Sequence, residues 1–359
     1  GRRFAAAPHS RPAADAVRDG PSAPSAQSAP GAPHRPPDAA ADIGVDGERG
    51  FADPHGLMGA YPHATGATPA DATRVASADA TRVGAPDATR VSSGHATAAV
   101  PFDATGTTAR RPRVALLAGC VQESLFARVN RATARVLAAN GCEVVSVPAQ
   151  ECCGALDAHA GRLDRARDLA RRNIAAFERA GVDTVVVNAA GCGAMMKEYG
   201  EQLRHDAAWA ERAEAFVRKV RDVSEFLMER PLRRGADVPL RVTYDAPCHL
   251  HHGQRIRDAP LQVLDSVPGL ERVPLADADE CCGGAGLYGV NHPELGGRIL
   301  SDKVAAIRAT GADAVLTPNP GCMMQIGAGL LLAGADTVVL HPIEILDESY
   351  RRAAAEAGT

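Results

Sequence analysis

Eight of the nine cysteines in this 359-residue chain form two sets of four that repeat in the same order. The matched pairs are Cys120 with Cys248, Cys152 with Cys281, Cys153 with Cys282, and Cys192 with Cys322, at displacements of 128 to 130 residues. The neighbouring residues repeat as well, since Glu-Cys-Cys-Gly stands at 151–154 and again at 280–283. This duplication predicts two copies of one structural module.

Short apolar runs alternate with helical patterns along both halves of the chain. The runs typical of buried strands are 113–119, 143–148, 184–191, 241–247, 271–275, 314–320 and 337–342. Strands that alternate with helices of 10 to 20 residues predict an α/β fold with parallel sheets and helical crossovers. We therefore predict two tandem Rossmann-like modules, at 113–235 and 236–359.

Every cysteine of the two sets follows a predicted strand. Because the carboxyl ends of parallel strands share one edge of a sheet, the four cysteines of each module should converge there. Four converging thiolates are typical of an iron–sulfur cluster or a structural zinc ion, and the spacing alone leaves both open. A lone buried cysteine is usually a core residue, which is our interpretation of Cys142.

The first 112 residues have a different composition from the rest. They are rich in Ala, Pro, Gly, Asp and Ser, and the pentapeptide DATRV occurs three times between 71 and 91 with a period of eight. These repeats carry too little apolar surface to form a core, which predicts a disordered, low-complexity arm. A docking tail is the alternative interpretation.

Bulk properties exclude several classes of protein. A net charge of -4 argues against a dedicated nucleic-acid binder, which needs a clustered basic face. No apolar run is long enough for a transmembrane segment, and the first residues lack the apolar core of a signal peptide. Clustered cysteines without an export signal favour a cytoplasmic metal or redox protein.

The motifs resemble a known family. The order Cys, CCG and a final cysteine is similar to the CCG domain of the heterodisulfide reductases and their relatives, and the resemblance covers about 113–359. Within this superfamily the chain most resembles the glycolate oxidase iron–sulfur subunits. The similar stretches are LAGCVQ (117–122), CCGALDAH (152–159), NAAGCGAMMKEYG (188–200), PCHLHHGQ (247–254) and CCGGAGLYGVNHPEL (281–295).

The resemblance implies an electron-transfer subunit with no catalytic residue of its own. A partner FAD-containing subunit would oxidise glycolate to glyoxylate. This chain would pass the electrons to a quinone-linked or other acceptor, either directly or through a ferredoxin-like subunit. The resemblance also implies [4Fe–4S] clusters held by the eight paired cysteines, with zinc at one module as the alternative. The expected location is cytoplasmic, or peripheral at the inner face of the membrane through partners.

The chain departs from the family pattern in two ways. The terminal CxxC is incomplete in both modules, because Ala189 and Asn319 stand at its first position; in the second module Asn319 could assist the cluster. The ferredoxin-like CxxCxxCxxxCP runs of relatives are also missing from this sequence. The alternatives are therefore a lactate, glycerol-3-phosphate dehydrogenase or heterodisulfide reductase type of subunit, or a zinc-stabilised scaffold protein.

Histidines near the cysteines are further candidates. His249, His251 and His252 follow Cys248, and they would tune or bind a cluster or shuttle protons, or else only begin an exposed helix. His159, five residues beyond the first CCG, is a candidate for supporting a ligand.

Overall fold

Two four-stranded sheets, each with all strands parallel, organise residues 110–358, the part of the chain that this computed structural model describes. The first contains β1 (Arg113–Leu116), β2 (Glu143–Val145), β3 (Thr184–Val187) and β4 (Val220–Asp222), in the order β2-β1-β3-β4. The second contains β5 (Leu240–Tyr244), β6 (Leu270–Val273), β7 (Ala314–Leu316) and β8 (Val338–Leu340), in the order β6-β5-β7-β8. The predicted α/β class with two parallel-sheet modules is confirmed.

Helices connect the strands in both modules. The first contains α1 (Val121–Ala139), α2 (Ala155–His159), α3 (Leu163–Ala180), α4 (Ala190–Lys197), α5 (Tyr199–Leu203), α6 (Ala210–Val217) and α7 (Val223–Met228). The second contains a π-helix (His249–Gly253), α8 (Asp258–Asp265), α9 (Leu287–Asn291), α10 (Pro293–Ala309), α11 (Pro320–Leu332) and α12 (Pro342–Ala357). The predicted boundary at 235/236 falls between the two sheets, and its position stays a prediction.

The central strands are buried on both faces, as their composition predicts. Val185, Val186 and Val187 of β3 are inaccessible, and the β-branched side chains suit a strand covered by helices on either side. The helix α3 adds Ile174 and Phe177 to the same core. The edge strand β2, by contrast, is largely exposed. The apolar patterning therefore fixes which strands lie in the middle of each sheet.

Several elements differ from the sequence prediction. The segment 205–239, which the sequence predicts only to close the first module and link it to the second, contains the fourth strand β4 and the helices α6 and α7. Three residues with a central Arg221 give β4 too little apolar pattern to be recognised. The sequence also predicts a helix at 254–266; the structure has the shorter α8 within that range and places the π-helix just before it. The predicted low-complexity arm lies outside the described residues except for its last three.

The last helix of each module packs against the other module. The helix α12, which follows β8, packs against α1 of the first module, and α7, which follows β4, packs against α8 of the second. Two ion pairs strengthen the first contact, Arg128 with Glu344 at 2.7 Å and Arg135 with Asp347 at 2.5 Å. The helix α4 packs against the π-helix, so that the segments following β3 and β5 meet. Among residues 110–358, no helix is both long and apolar enough to cross a bilayer.

Candidate metal centres

The eight paired cysteines lie just beyond the carboxyl ends of parallel strands. Each module places one after its first strand, a vicinal pair after its second and one in the helix after its third. The placements are Cys120 after β1, Cys152 and Cys153 after β2, Cys192 in α4, Cys248 after β5, Cys281 and Cys282 after β6, and Cys322 in α11. The topology therefore gathers each set at one edge of its sheet.

The first set forms a continuous group of sulfur atoms. Cys120 Sγ lies 3.4 Å from Cys152 Sγ. The Cys153 thiol in turn contacts those of Cys152 and Cys192. A hydrogen bond to Cys152, with burial, raises the pKa of Cys120. All four predicted residues of this module are thus brought together.

The second set is arranged in the same way. Cys282 Sγ and Cys322 Sγ are 3.3 Å apart, and Cys281 contacts both Cys248 and Cys282. Asn319, at the first position of the incomplete CxxC, donates from Nδ2 to Cys322 Sγ at 3.3 Å. The structure therefore gathers both predicted sets, whereas metal binding by these eight residues stays a prediction.

Hydrogen bonds between the crowded thiols of the second set determine which of them carries a negative charge. Hydrogen bonds from Cys248 and then Cys282 lower the pKa of Cys281 to about 2. The pKa values of Cys248 and Cys282 are raised, because each is bonded to Cys281 as its donor. Four thiolates at this separation would repel one another strongly without a compensating cation. A metal centre would take the place of the shared protons, so the donor set fits such a group.

Main-chain N–H groups point at one sulfur in each vicinal pair. The N–H of Gly154 donates to Cys152 Sγ at 3.5 Å, and that of Gly283 donates to Cys281 Sγ at 3.3 Å. Both glycines have left-handed φ angles, +86° and +84°, which other residues adopt only with strain. The CCG motif thus turns the chain so that its own N–H can stabilise the charge on a cysteine.

Two buried residues that the sequence analysis did not single out hold the loops of the vicinal pairs. Asn173 accepts from the N–H of Glu151 at 2.8 Å and donates to the carbonyl of Cys152 at 3.0 Å. Lys303 Nζ donates to the carbonyl of Asp277 at 2.8 Å. A polar residue on the apolar face of a predicted amphipathic helix is the signal that would have indicated both.

The candidate histidines have different surroundings. His249 Nδ1 lies 3.7 Å from Cys248 Sγ, and its ring stacks on that of His159 with centroids 6.0 Å apart. Burial, and then the charge of His159, lowers the pKa of His249. His251 and His252 instead gather with Asp279, their potential ligand atoms all within 4.8 Å. His159 and His249 therefore connect the cysteine-bearing segments of the two modules.

Cys142 is separate from both sets, as predicted. It is 4% exposed, in the turn between α1 and β2, and burial raises its pKa. This position is the one expected for a small core residue.

The profile of the cysteine-rich domain family, CCG, matches residues 114–197 and 242–327. Each match contains one complete set of four cysteines. The duplication found in the sequence is therefore a duplication of this domain.

Curated proteins with similar sequences include two kinds of bacterial protein. The chain is 40% identical over 244 residues to the probable glycolate oxidase iron–sulfur subunit of Bacillus subtilis, covering 67% of this chain and 55% of that protein. It is 33% identical to the lactate utilization protein A of an Exiguobacterium strain, covering 67% of this chain and all of that protein. It is also 33% identical to the glycolate oxidase iron–sulfur subunit of Escherichia coli, covering 67% of this chain and 58% of that protein. The chain thus spans little more than half the length of the two glycolate oxidase subunits.

Among solved structures, a hypothetical protein from Helicobacter pylori has the same fold. The TM-score is 0.52 at 12% identity, covering 67% of this chain and 49% of the other. At this identity the similarity concerns the fold alone.

Proposed function

Since the chain contains two CCG cysteine-rich domains and belongs to the family of lactate utilization protein A, we propose that it is an iron–sulfur electron-transfer subunit of a 2-hydroxyacid dehydrogenase. The observation that carries the proposal is the convergence of two complete sets of four cysteines at the strand ends. Such a donor set, with N–H groups aimed at its sulfurs, suits a metal centre whose charge changes.

Each set would hold one [4Fe–4S] cluster, which when bound accepts and releases single electrons. Cys120, Cys152, Cys153 and Cys192 would be the ligands in the first module, and Cys248, Cys281, Cys282 and Cys322 in the second. Gly154 and Gly283 would stabilise one ligand of each through their N–H groups. Zinc at one of the two modules is the alternative occupant, because four thiolates also suit that ion.

The substrate of the complex would be glycolate, oxidised to glyoxylate on a partner flavoprotein. A flavin gives up two electrons, and this chain would receive them singly and pass them to a ferredoxin-like subunit or a quinone-linked acceptor. The two relatives named as glycolate oxidase iron–sulfur subunits support this assignment. The proposal places the chain in the cytoplasm, with any contact with the membrane made through its partners.

Lactate is the second candidate substrate of the complex. The observation in its favour is length, since the similarity extends over all of the Exiguobacterium lactate utilization protein A. Reduction of the purified chain by each candidate flavoprotein with its own substrate distinguishes the two. Faster reduction in the presence of lactate would overturn the glycolate assignment.

Metal analysis of anaerobically purified protein tests the proposal. We expect about four irons and four sulfides for each set, with a broad visible absorbance that bleaches on reduction. Cys152→Ser and Cys281→Ser should each remove the iron of one set, whereas Cys142→Ser should retain both. Stoichiometric zinc without visible absorbance, or unchanged iron in both ligand variants, would contradict the proposal.

A further inference from the structure

Asn319 occupies the N-cap of α11 without capping that helix. Asparagine is a favoured N-cap residue because its side-chain oxygen accepts from a free N–H in the first turn. In α11 the side chain makes no such bond, although the main-chain carbonyl of Asn319 accepts from Met323 at 2.9 Å as the helix begins. The side-chain amide is therefore not used to cap the main chain of its own helix.

The nitrogen of this amide is directed at a sulfur of the second set. Asn319 Nδ2 donates to Cys322 Sγ at 3.3 Å. At the equivalent position of the first module stands Ala189, which has no donor to offer to Cys192. The main-chain donors of the vicinal pairs, by contrast, are matched in the two modules. The side-chain N–H···S bond thus distinguishes one set from the other.

The oxygen of the same amide caps a helix of the first module. Gly191 donates its N–H to Asn319 Oδ1 at 3.2 Å, and Ala190 donates to the carbonyl of Pro318 at 3.0 Å. These N–H groups belong to the first turn of α4, whose own N-cap residue, Ala189, has no side-chain oxygen. Cys192 follows Gly191 in that turn, so a residue of the second module holds the helix that carries a cysteine of the first.

We propose that Asn319 is a positioning residue shared by the two cysteine sets, raising the reduction potential of a cluster in the second module while fixing Cys192 in the first. This inference rests on the proposed iron–sulfur function. An N–H donor stabilises the extra negative charge that a cluster and its thiolates carry after reduction. The second module would therefore be the stronger electron acceptor, and electrons would pass from the first module to the second.

Two substitutions separate the two roles of the amide. Asn319→Asp keeps an oxygen for the Gly191 N–H but loses the donor to Cys322, whereas Asn319→Ala loses both. A redox titration followed by electron paramagnetic resonance should show one of two transitions at a lower potential in both variants. Hydrogen exchange of the peptide spanning 188–197 should be faster in Asn319→Ala than in Asn319→Asp, because only the former exposes the helix start.

Asn140→Ala is the matched control. This partly buried amide also joins the modules, since its Oδ1 accepts from the N–H of Arg233 at 2.9 Å and its Nδ2 donates to the hydroxyl of Tyr350 at 3.2 Å. It has no sulfur partner, so both potentials should stay at their wild-type values.

The outcomes distinguish this inference from the proposed function. Full iron content with both potentials unchanged in Asn319→Ala and Asn319→Asp would overturn the inference alone. A zinc protein without iron would overturn the proposed function and the tuning role with it. If Asn319→Ala does not fold, the uncharged and nearly isosteric Asn319→Leu replaces it, because the carboxylate of Asn319→Asp lowers the potential through its charge as well as through the lost donor.

Discussion

Asn173 and Lys303 occupy equivalent positions, 130 residues apart in the sequence, and each ties down the loop that carries the vicinal cysteines of its own module. Both lie on the buried face of the helix that precedes the third strand, α3 in one module and α10 in the other. The first uses a neutral amide and the second a cation. The two modules thus hold the same loop in place with side chains of different chemistry.

Lys303→Met should destabilise the protein severely. Lys303 and Asp245 form an ion pair at 3.1 Å, with side chains 2% and 1% exposed. Removing one partner of a buried pair leaves an uncompensated charge, which costs about 3–5 kcal/mol. Chemical denaturation should show this loss in the free energy of unfolding, and iron should be lost from the second set.

The double variant Asp245→Leu with Lys303→Met is the test of that explanation. It removes both charges, and we expect it to recover much of the lost stability. Asp265→Asn, which breaks an exposed pair with Arg272, should change the free energy of unfolding by less than about 1 kcal/mol. Equal effects of Lys303→Met and Asp265→Asn would show that burial of the pair is irrelevant.

Gly283→Ala, in the second CCG motif, should destabilise the protein more than Gly154→Ala in the first. Both glycines have left-handed φ angles, so each substitution carries a strain of about 1–2 kcal/mol. At Gly154 the added Cβ would lie 3.3 Å from Ala166 Cα, whereas at Gly283 it would overlap the main-chain oxygen of Gly296. That overlap should add about 1–3 kcal/mol.

Thermal unfolding and iron content of Gly154→Ala and Gly283→Ala measure this difference. Gly297→Ala is the control, since it lies within α10 and a Cβ there would meet no atom within 4 Å. Alanine should stabilise that helix by about 0.4–1 kcal/mol. A Gly154→Ala variant that loses more stability than Gly283→Ala would refute the steric explanation.

The sequence predicted the cysteine sets well because each cysteine is tied to the end of an apolar strand. Runs such as TVVV at β3 mark buried strands, and the parallel topology then determines where the following residues meet. The short β4 lacked this signal, because Arg221 interrupts its three residues. Local pattern was therefore enough for the short edge strands β2 and β8, whose apolar residues are consecutive, and not for β4.

Contacts between the modules could not be read from the sequence. The CxxC pattern marks Asn319 as a residue that could assist the second cluster, but its bond to Gly191 depends on how the second module sits against the first. The stacking of His159 on His249 has the same origin. A pattern repeated within each module contains no information on how the two copies meet, so these roles required the structure.

His341 should make the protein sensitive to acid. Its Nε2 donates to the carbonyl of Asn188 at 2.9 Å, while its Nδ1 accepts from the N–H of Ile343 at 3.0 Å, so the buried ring is neutral. Burial lowers its pKa from 6.5 to about 3. Between pH 6.5 and pH 3 the unfolded chain binds a proton on this histidine that the folded chain does not. The contribution of His341 to the free energy of unfolding is therefore complete above pH 6.5. It falls by about 1.4 kcal/mol for each pH unit towards pH 3.

Denaturation of wild type and His341→Gln between pH 7 and 4 measures this contribution. Asp222, Asp245 and Glu344 are also buried, and burial raises their pKa values, so they oppose the histidine in the same range. The informative quantity is therefore the difference between the two proteins, whose unfolding free energies should converge as the pH falls. The exposed His205 offers the control, because His205→Gln should follow the wild-type pH dependence. If the free energies of unfolding of His341→Gln and wild type differ by the same amount from pH 7 to 4, the ring must take up a proton in the folded protein. That result would contradict the hydrogen bonds that the ring makes.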